Sequence, residues 1–132
     1  MSVEIPGAVV GAPKLFLRLE GLAIAVAAVF FYERFGGSWA LFAVLILAPD
    51  LTFLAYLLSP RAGATAYNAA HTTLGPLAVL AAAAWLGFPL GEHIALIFLT
   101  HVGFDRALAY GLKYPSAFGD THLGRIGDDC GA

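Results

Sequence analysis

Charge is scarce in this chain: acidic and basic residues together make up 12% of it, while 60% is hydrophobic. So small a polar supply cannot coat a soluble domain, which excludes an ordinary cytosolic enzyme. A net charge of −2 gives a nucleic acid no basic surface to bind. Cysteine is scarcer still. With only Cys130, in the polar Asp128-Asp129-Cys130-Gly131 tail, neither a disulfide frame nor a cysteine metal cluster can form within one chain. No role attaches to that thiol. Also missing are a charged leader before Lys14, a Cys-x-x-Cys-His or His-Glu-x-x-His motif, an internal repeat and a low-complexity linker. Ala25-Val26-Ala27 has the pattern of a signal-peptide cleavage site, yet Glu20 interrupts the apolar region, so the first span is expected to remain in the mature chain.

What is present is four apolar stretches, Leu15 to Phe35, Ser38 to Leu58, Ala64 to Phe88 and Leu90 to about Lys113, each about the 20 residues that cross a bilayer. Gly36-Gly37, Ser59 to Gly63 and Gly87 to Pro89 join them, and such short connections make neighbours antiparallel. The expected fold is an all-α integral membrane protein, four transmembrane helices in an up-down bundle. Lys14, Arg18, Arg61, Arg106, Lys113 and Arg125 fall at the amino terminus, in the second connection, or near the end of the fourth helix and beyond. The positive-inside rule then makes both termini cytoplasmic. The organisation predicted is a cytosolic segment over residues 1–14, the four-helix domain over 15–114 and a cytosolic tail over 115–132. Trp39 and Trp85 flank the outer edge, Gly21, Ala25 and Ala28 form a small-residue packing stripe, and Pro49, Gly75-Pro76 and Gly103 are sites for kinks or close approach.

Against this background six polar residues stand out: Glu20, Asp50, Asn68, His71, His101 and Asp105. An ionisable group in hydrocarbon costs roughly 2.5 to 3.5 kcal/mol by insertion scales, so it persists where it pairs, meets water or works. Counted from the cytosolic ends, a rise of about 1.5 Å per residue puts them roughly 6 to 18 Å deep, all in one half of the bilayer. His101 and Asp105 are four apart and Asn68 and His71 three apart, so each pair shares a helix face. Pro49 lacks an N–H and frees a carbonyl one turn earlier, which adds an acceptor or a bend beside Asp50.

Taken together, Pro49-Asp50-Leu51, Tyr67-Asn68-Ala69-Ala70-His71-Thr72 and the closing run Gly111-Leu112-Lys113-Tyr114-Pro115, Phe118 and Asp120 through Gly127 resemble a known family. It is the small bacterial integral membrane family catalogued as domain of unknown function 4260. The likeness spans roughly Leu15 to Gly127. It implies a compact four-helix protein of the bacterial inner (cytoplasmic) membrane and carries over no catalytic residue, though so well matched a tail implies that His122 and Arg125 fold back over the cytosolic mouth.

The function expected is a membrane-embedded enzyme of the isomerase, hydrolase or cyclase type. It would work by acid-base chemistry on a lipophilic small molecule, in a polar chamber open to the cytosol. Asp50, His71, His101 and Asp105 are the expected catalytic groups, because carboxylates beside imidazoles can hold and move protons. Asn68, Glu20, Tyr67 and Arg106 are expected to bind substrate. Two alternatives stay open. Histidines and carboxylates could hold a metal, with His71, His101 and Asp105 as candidate ligands, or the two histidines could hold haem, whereas the acid-base reading requires no cofactor. A proton-linked carrier would use the same buried groups. The expected partners are the bilayer, a lipophilic ligand and a second copy of the chain in a homodimer, with no nucleic acid.

Overall fold

Long apolar stretches in this chain can satisfy their backbone N–H and C=O groups only internally, so helices dominate. The computed structural model describes residues 5–126. It runs α1 (Gly11–Arg34), α2 (Trp39–Leu45), a 3-10 stretch (Ala48–Leu57), α3 (Pro60–His71), α4 (Leu74–Leu86) and α5 (Pro89–Ala107), then a small antiparallel hairpin of β1 (Asp120–Thr121) and β2 (Gly124–Arg125). Three stretches are long and apolar enough to cross a membrane: Gly11–Arg34, Trp39–Leu57 and Pro60–Leu86. Large apolar side chains cover the outside, among them Phe16, Leu22, Val26, Phe30, Leu51, Leu54, Leu74 and Trp85, a coat that suits hydrocarbon and not water. Cys130 lies outside the described residues.

The helix ends follow local chemistry. Ser38 caps α2 by accepting the Leu41 N–H, and Ser59 caps α3 by accepting the Ala62 N–H at 3.0 Å with Pro60 as first helical residue. Residues 59–63, expected as a connection, are therefore mostly the first turn of α3. The two middle spans are also interrupted where single helices were expected. Pro49 cannot donate to Leu45, so α2 stops at Leu45 and the chain continues as 3-10, with the Asp50 N–H turning to the Leu47 carbonyl at 3.0 Å. Pro76 cannot donate to Thr72, and the helix breaks there before restarting at Leu74. The fourth expected span, which was to reach about Lys113, ends at Ala107, and Ala109 takes a positive φ of 66°.

Two packing units result. α5, the most buried helix, lies along α1 and is also covered by α4, while α3 packs on the 3-10 stretch. Gly103 sets the first contact: a Cβ there would stand 2.6 Å from the Gly21 oxygen and 2.7 Å from the Ala25 nitrogen, so a side chain would push α1 from α5. Ala28, Tyr32, Leu96, Ile97 and Leu99 form the apolar core at one end of this pair. Beyond it the second half of α5 turns its polar residues toward the other unit.

The segment after α5 is fastened down. Asn68 holds the Lys113 backbone at both groups, its Nδ2 donating to the carbonyl at 2.8 Å and its Oδ1 accepting the N–H at 2.6 Å. His122 Nδ1 accepts the Leu112 N–H at 2.8 Å, and the Val9 N–H donates to the His122 carbonyl at 2.8 Å. Asp120 accepts from Ser116 and Arg125.

Candidate metal centre

The first packing unit supplies His101 and Asp105, one turn apart on α5; the second supplies Asp50, just after the Pro49 break, and His71, at the end of α3. His71 is fully buried and His101 nearly so. Backbone carbonyls fix both rings. His71 Nδ1 donates to the Tyr67 carbonyl at 2.9 Å, and His101 Nδ1 donates to the Ile46 carbonyl at 2.6 Å. In its neutral form each imidazole then carries its proton on Nδ1, and its Nε2 faces the centre.

What meets there is four acceptors. The two Nε2 atoms are 3.2 Å apart; Asp50 Oδ1 is 3.1 Å from that of His71 and 3.2 Å from that of His101; Asp105 Oδ2 is 3.7 Å and 3.3 Å from the same two atoms. All four ligand atoms lie within 4.8 Å of one another. Two carboxylate oxygens and two imidazole nitrogens at this spacing need a proton or a cation between them. A tetrahedron with metal–ligand bonds of about 2.0 to 2.1 Å has edges of about 3.3 Å, close to the 3.1 to 3.7 Å of the five spacings that involve a histidine. The donor set of two imidazoles and two carboxylates suits zinc, iron(II) or manganese, and is too nitrogen-rich for calcium or magnesium.

The surroundings hold this geometry. The Tyr67 ring stacks on His71 with centroids 3.7 Å apart and planes 10° from parallel. Arg106 donates to the His71 carbonyl at 2.9 Å and to the Tyr110 carbonyl at 2.9 Å, tying the end of α3 to the end of α5. Asn68 reaches the Lys113 backbone and not the cluster. Glu20 is exposed on α1 and has no hydrogen-bond or ion-pair partner among the described residues. Of the eight side chains singled out in the sequence, then, four converge, Tyr67 and Arg106 brace them, Asn68 anchors the tail and Glu20 stands apart. His122 and Arg125 lie in the folded-back tail, but their side-chain bonds are internal to it.

On one side the cluster opens into a cavity of about 270 Å³ lined by Asp50, Phe53, Tyr67, Asp105, Tyr110, Lys113, Phe118 and Ile126. Lys113 is the residue that sequence reasoning missed. Counted only as a cation at a helix end, it is 3% exposed, its Nζ donating to the Phe118 carbonyl at 2.5 Å and lying 3.7 Å from the Phe118 ring centroid and 4.9 Å from that of Tyr67. The one available signal was its place in the closing run Gly111 to Pro115. A larger groove, about 630 Å³, runs past Pro6, Arg61 and Tyr114 and touches none of the four converging residues.

Fold and site together define a helical protein of membrane character built around a cluster of two histidines and two aspartates. The chain belongs to the family described as Domain of unknown function (DUF4260), whose model matches residues 14–126. No curated protein and no solved structure matches it.

Proposed function

We propose that this chain is a metal-dependent enzyme of the bacterial cytoplasmic membrane, a four-span antiparallel bundle with both termini in the cytosol. Asp50, His71, His101 and Asp105 hold one divalent transition metal ion, and the substrate is a lipophilic small molecule reaching the adjoining cavity. The observation that carries this reading is the meeting of two imidazole Nε2 atoms and two carboxylate oxygens, all within 4.8 Å of one another. Carbonyl partners behind both rings are the outer support that metal-bound histidines use. Asp50 and Asp105 line the cavity, so a molecule there would reach the centre past these two carboxylates.

An ion held by these residues would supply Lewis acidity and an activated water, so hydrolysis is the favoured reaction type. Asp50, the more exposed carboxylate, would be the group placed to accept that water's proton. The acid-base role expected of these residues is thus retained with an ion as its centre. Elemental analysis of detergent-purified protein, combined with cobalt(II) titration, tests it. One ion per chain, with the intense visible bands of four- or five-coordinate cobalt, is the expected result. A metal-free protein that binds no cobalt overturns the reading.

A further inference from the structure

Lys113 presents a problem that the metal centre alone does not solve. Its ammonium is almost wholly buried, it lines the cavity, and among the described residues no carboxylate is in ion-pair contact with it. One of its three N–H donors goes to the Phe118 carbonyl, and the Phe53, Tyr67 and Phe118 rings surround it. Aromatic faces stabilise a cation, which offsets only part of the cost of burying an ion. Burial pushes the Lys113 ammonium down to about 8 even with the Asp105 charge acting to raise it.

The charges around the cavity make the deficit specific. Asp50 and Asp105 are balanced by Arg106 and Lys113 when no ion is bound. A divalent ion then leaves the group two positive charges in excess, in a place walled by Phe53, Tyr67, Phe118 and Ile126. Such a cavity calls for an anion with an apolar body.

We infer that Lys113 and its aromatic surround form a subsite for the oxyanion head group of the substrate, held between the Lys113 ammonium and the metal centre. This rests on the metal reading above and adds the chemical class of the ligand. A phosphate-type oxyanion fits both partners, since lysine binds it as a point charge and the ion accepts one of its oxygens. The anion could arrive on an amphiphile from the bilayer or free from the cytosol.

The test uses the full-length protein in a non-ionic detergent, loaded with cobalt(II), with inorganic phosphate and octyl phosphate as probes. Calorimetry measures binding and the cobalt absorption bands report an anion reaching the ion. Saturable binding that shifts those bands, and is lost when the metal is removed, supports the subsite. Lys113→Met is expected to keep its cobalt but weaken the anion by about tenfold or more, the value of one charge-assisted hydrogen bond, with Lys113→Arg retaining most of it. Octyl phosphate binding without inorganic phosphate binding identifies a lipid-borne head group; binding of both identifies a soluble anion as sufficient.

Cobalt-loaded wild-type protein that binds neither probe overturns the inference and leaves the metal reading standing, and this arm needs no variant. Equal anion affinity in Lys113→Met does the same. Failure to bind cobalt at all removes both.

Discussion

His101 is oriented by Ile46, a residue 55 positions earlier, whose carbonyl accepts the Nδ1 proton at 2.6 Å. In an unbroken α-helix that carbonyl would belong to the Asp50 N–H. Because Pro49 forces a 3-10 turn, Asp50 bonds to Leu47 and the Ile46 oxygen is left for the histidine. One proline therefore sets the tautomer of a residue on another helix.

Pro49→Ala gives the helix a chance to recapture the Ile46 carbonyl. The expected outcome is a metal affinity about 10 to 100-fold weaker with the four ligands untouched, the usual loss when a partner behind a liganding histidine goes. Competition between cobalt and a chelator measures it, and an unchanged affinity would mean that the carbonyl does not tune His101.

His71→Ala and Asp105→Asn each remove a ligand and should abolish stoichiometric metal binding. Glu20→Gln removes an exposed carboxylate with no described partner, and its metal content should match the wild type. Elemental analysis of the three variants side by side checks the contrast.

Asn68→Ala removes two hydrogen bonds to the Lys113 backbone and leaves buried groups unpaired, a loss of about 1 to 3 kcal/mol. The tail should open before the helices do. Limited proteolysis between Leu112 and Phe118, faster in the variant while helical circular dichroism is unchanged, is the expected signature.

Two groups outside the spans give stability a predictable pH course. Burial and the nearby Arg106 charge push His122 below the usual histidine value, and its Nδ1 is occupied as an acceptor from Leu112. Below about 6.5 the unfolded chain then binds the proton more readily than the folded one, so stability falls as the solution is acidified. For Lys113, at about 8 when folded and 10.5 as its ordinary value, the unfolded chain holds the extra proton between those limits, and stability rises with pH across that window. Thermal unfolding with a chelator present isolates both trends from metal binding. His122→Asn should flatten the acid limb and Lys113→Met the alkaline one.

Much of the arrangement is legible in the sequence because the chain is so apolar. Asp50, His71, His101 and Asp105 have no polar crowd to hide in, and the four-residue step from His101 to Asp105 fixes their common face. Depth along a helix, however, does not say which way a side chain points. Glu20 has the right depth and the wrong face, on a helix whose apolar residues run all the way round. The interruptions after Leu45 and His71 fall one turn before Pro49 and Pro76, where kinks were expected, though a hydropathy window alone reads straight across them. Lys113 was opaque for a different reason. A lysine after a helix reads as solvated, and only the bonds from Asn68, far away in sequence, draw it in.

The two packing units meet at the polar cluster. Asp50 and His71 come from one, His101 and Asp105 from the other, and α3 makes little backbone contact with α5. An ion held by all four would rivet the halves together, so its binding strength would also be their resistance to parting. Loading the metal and stiffening the molecule would then be a single event, and a substrate that loosened one ligand would for that moment loosen the protein.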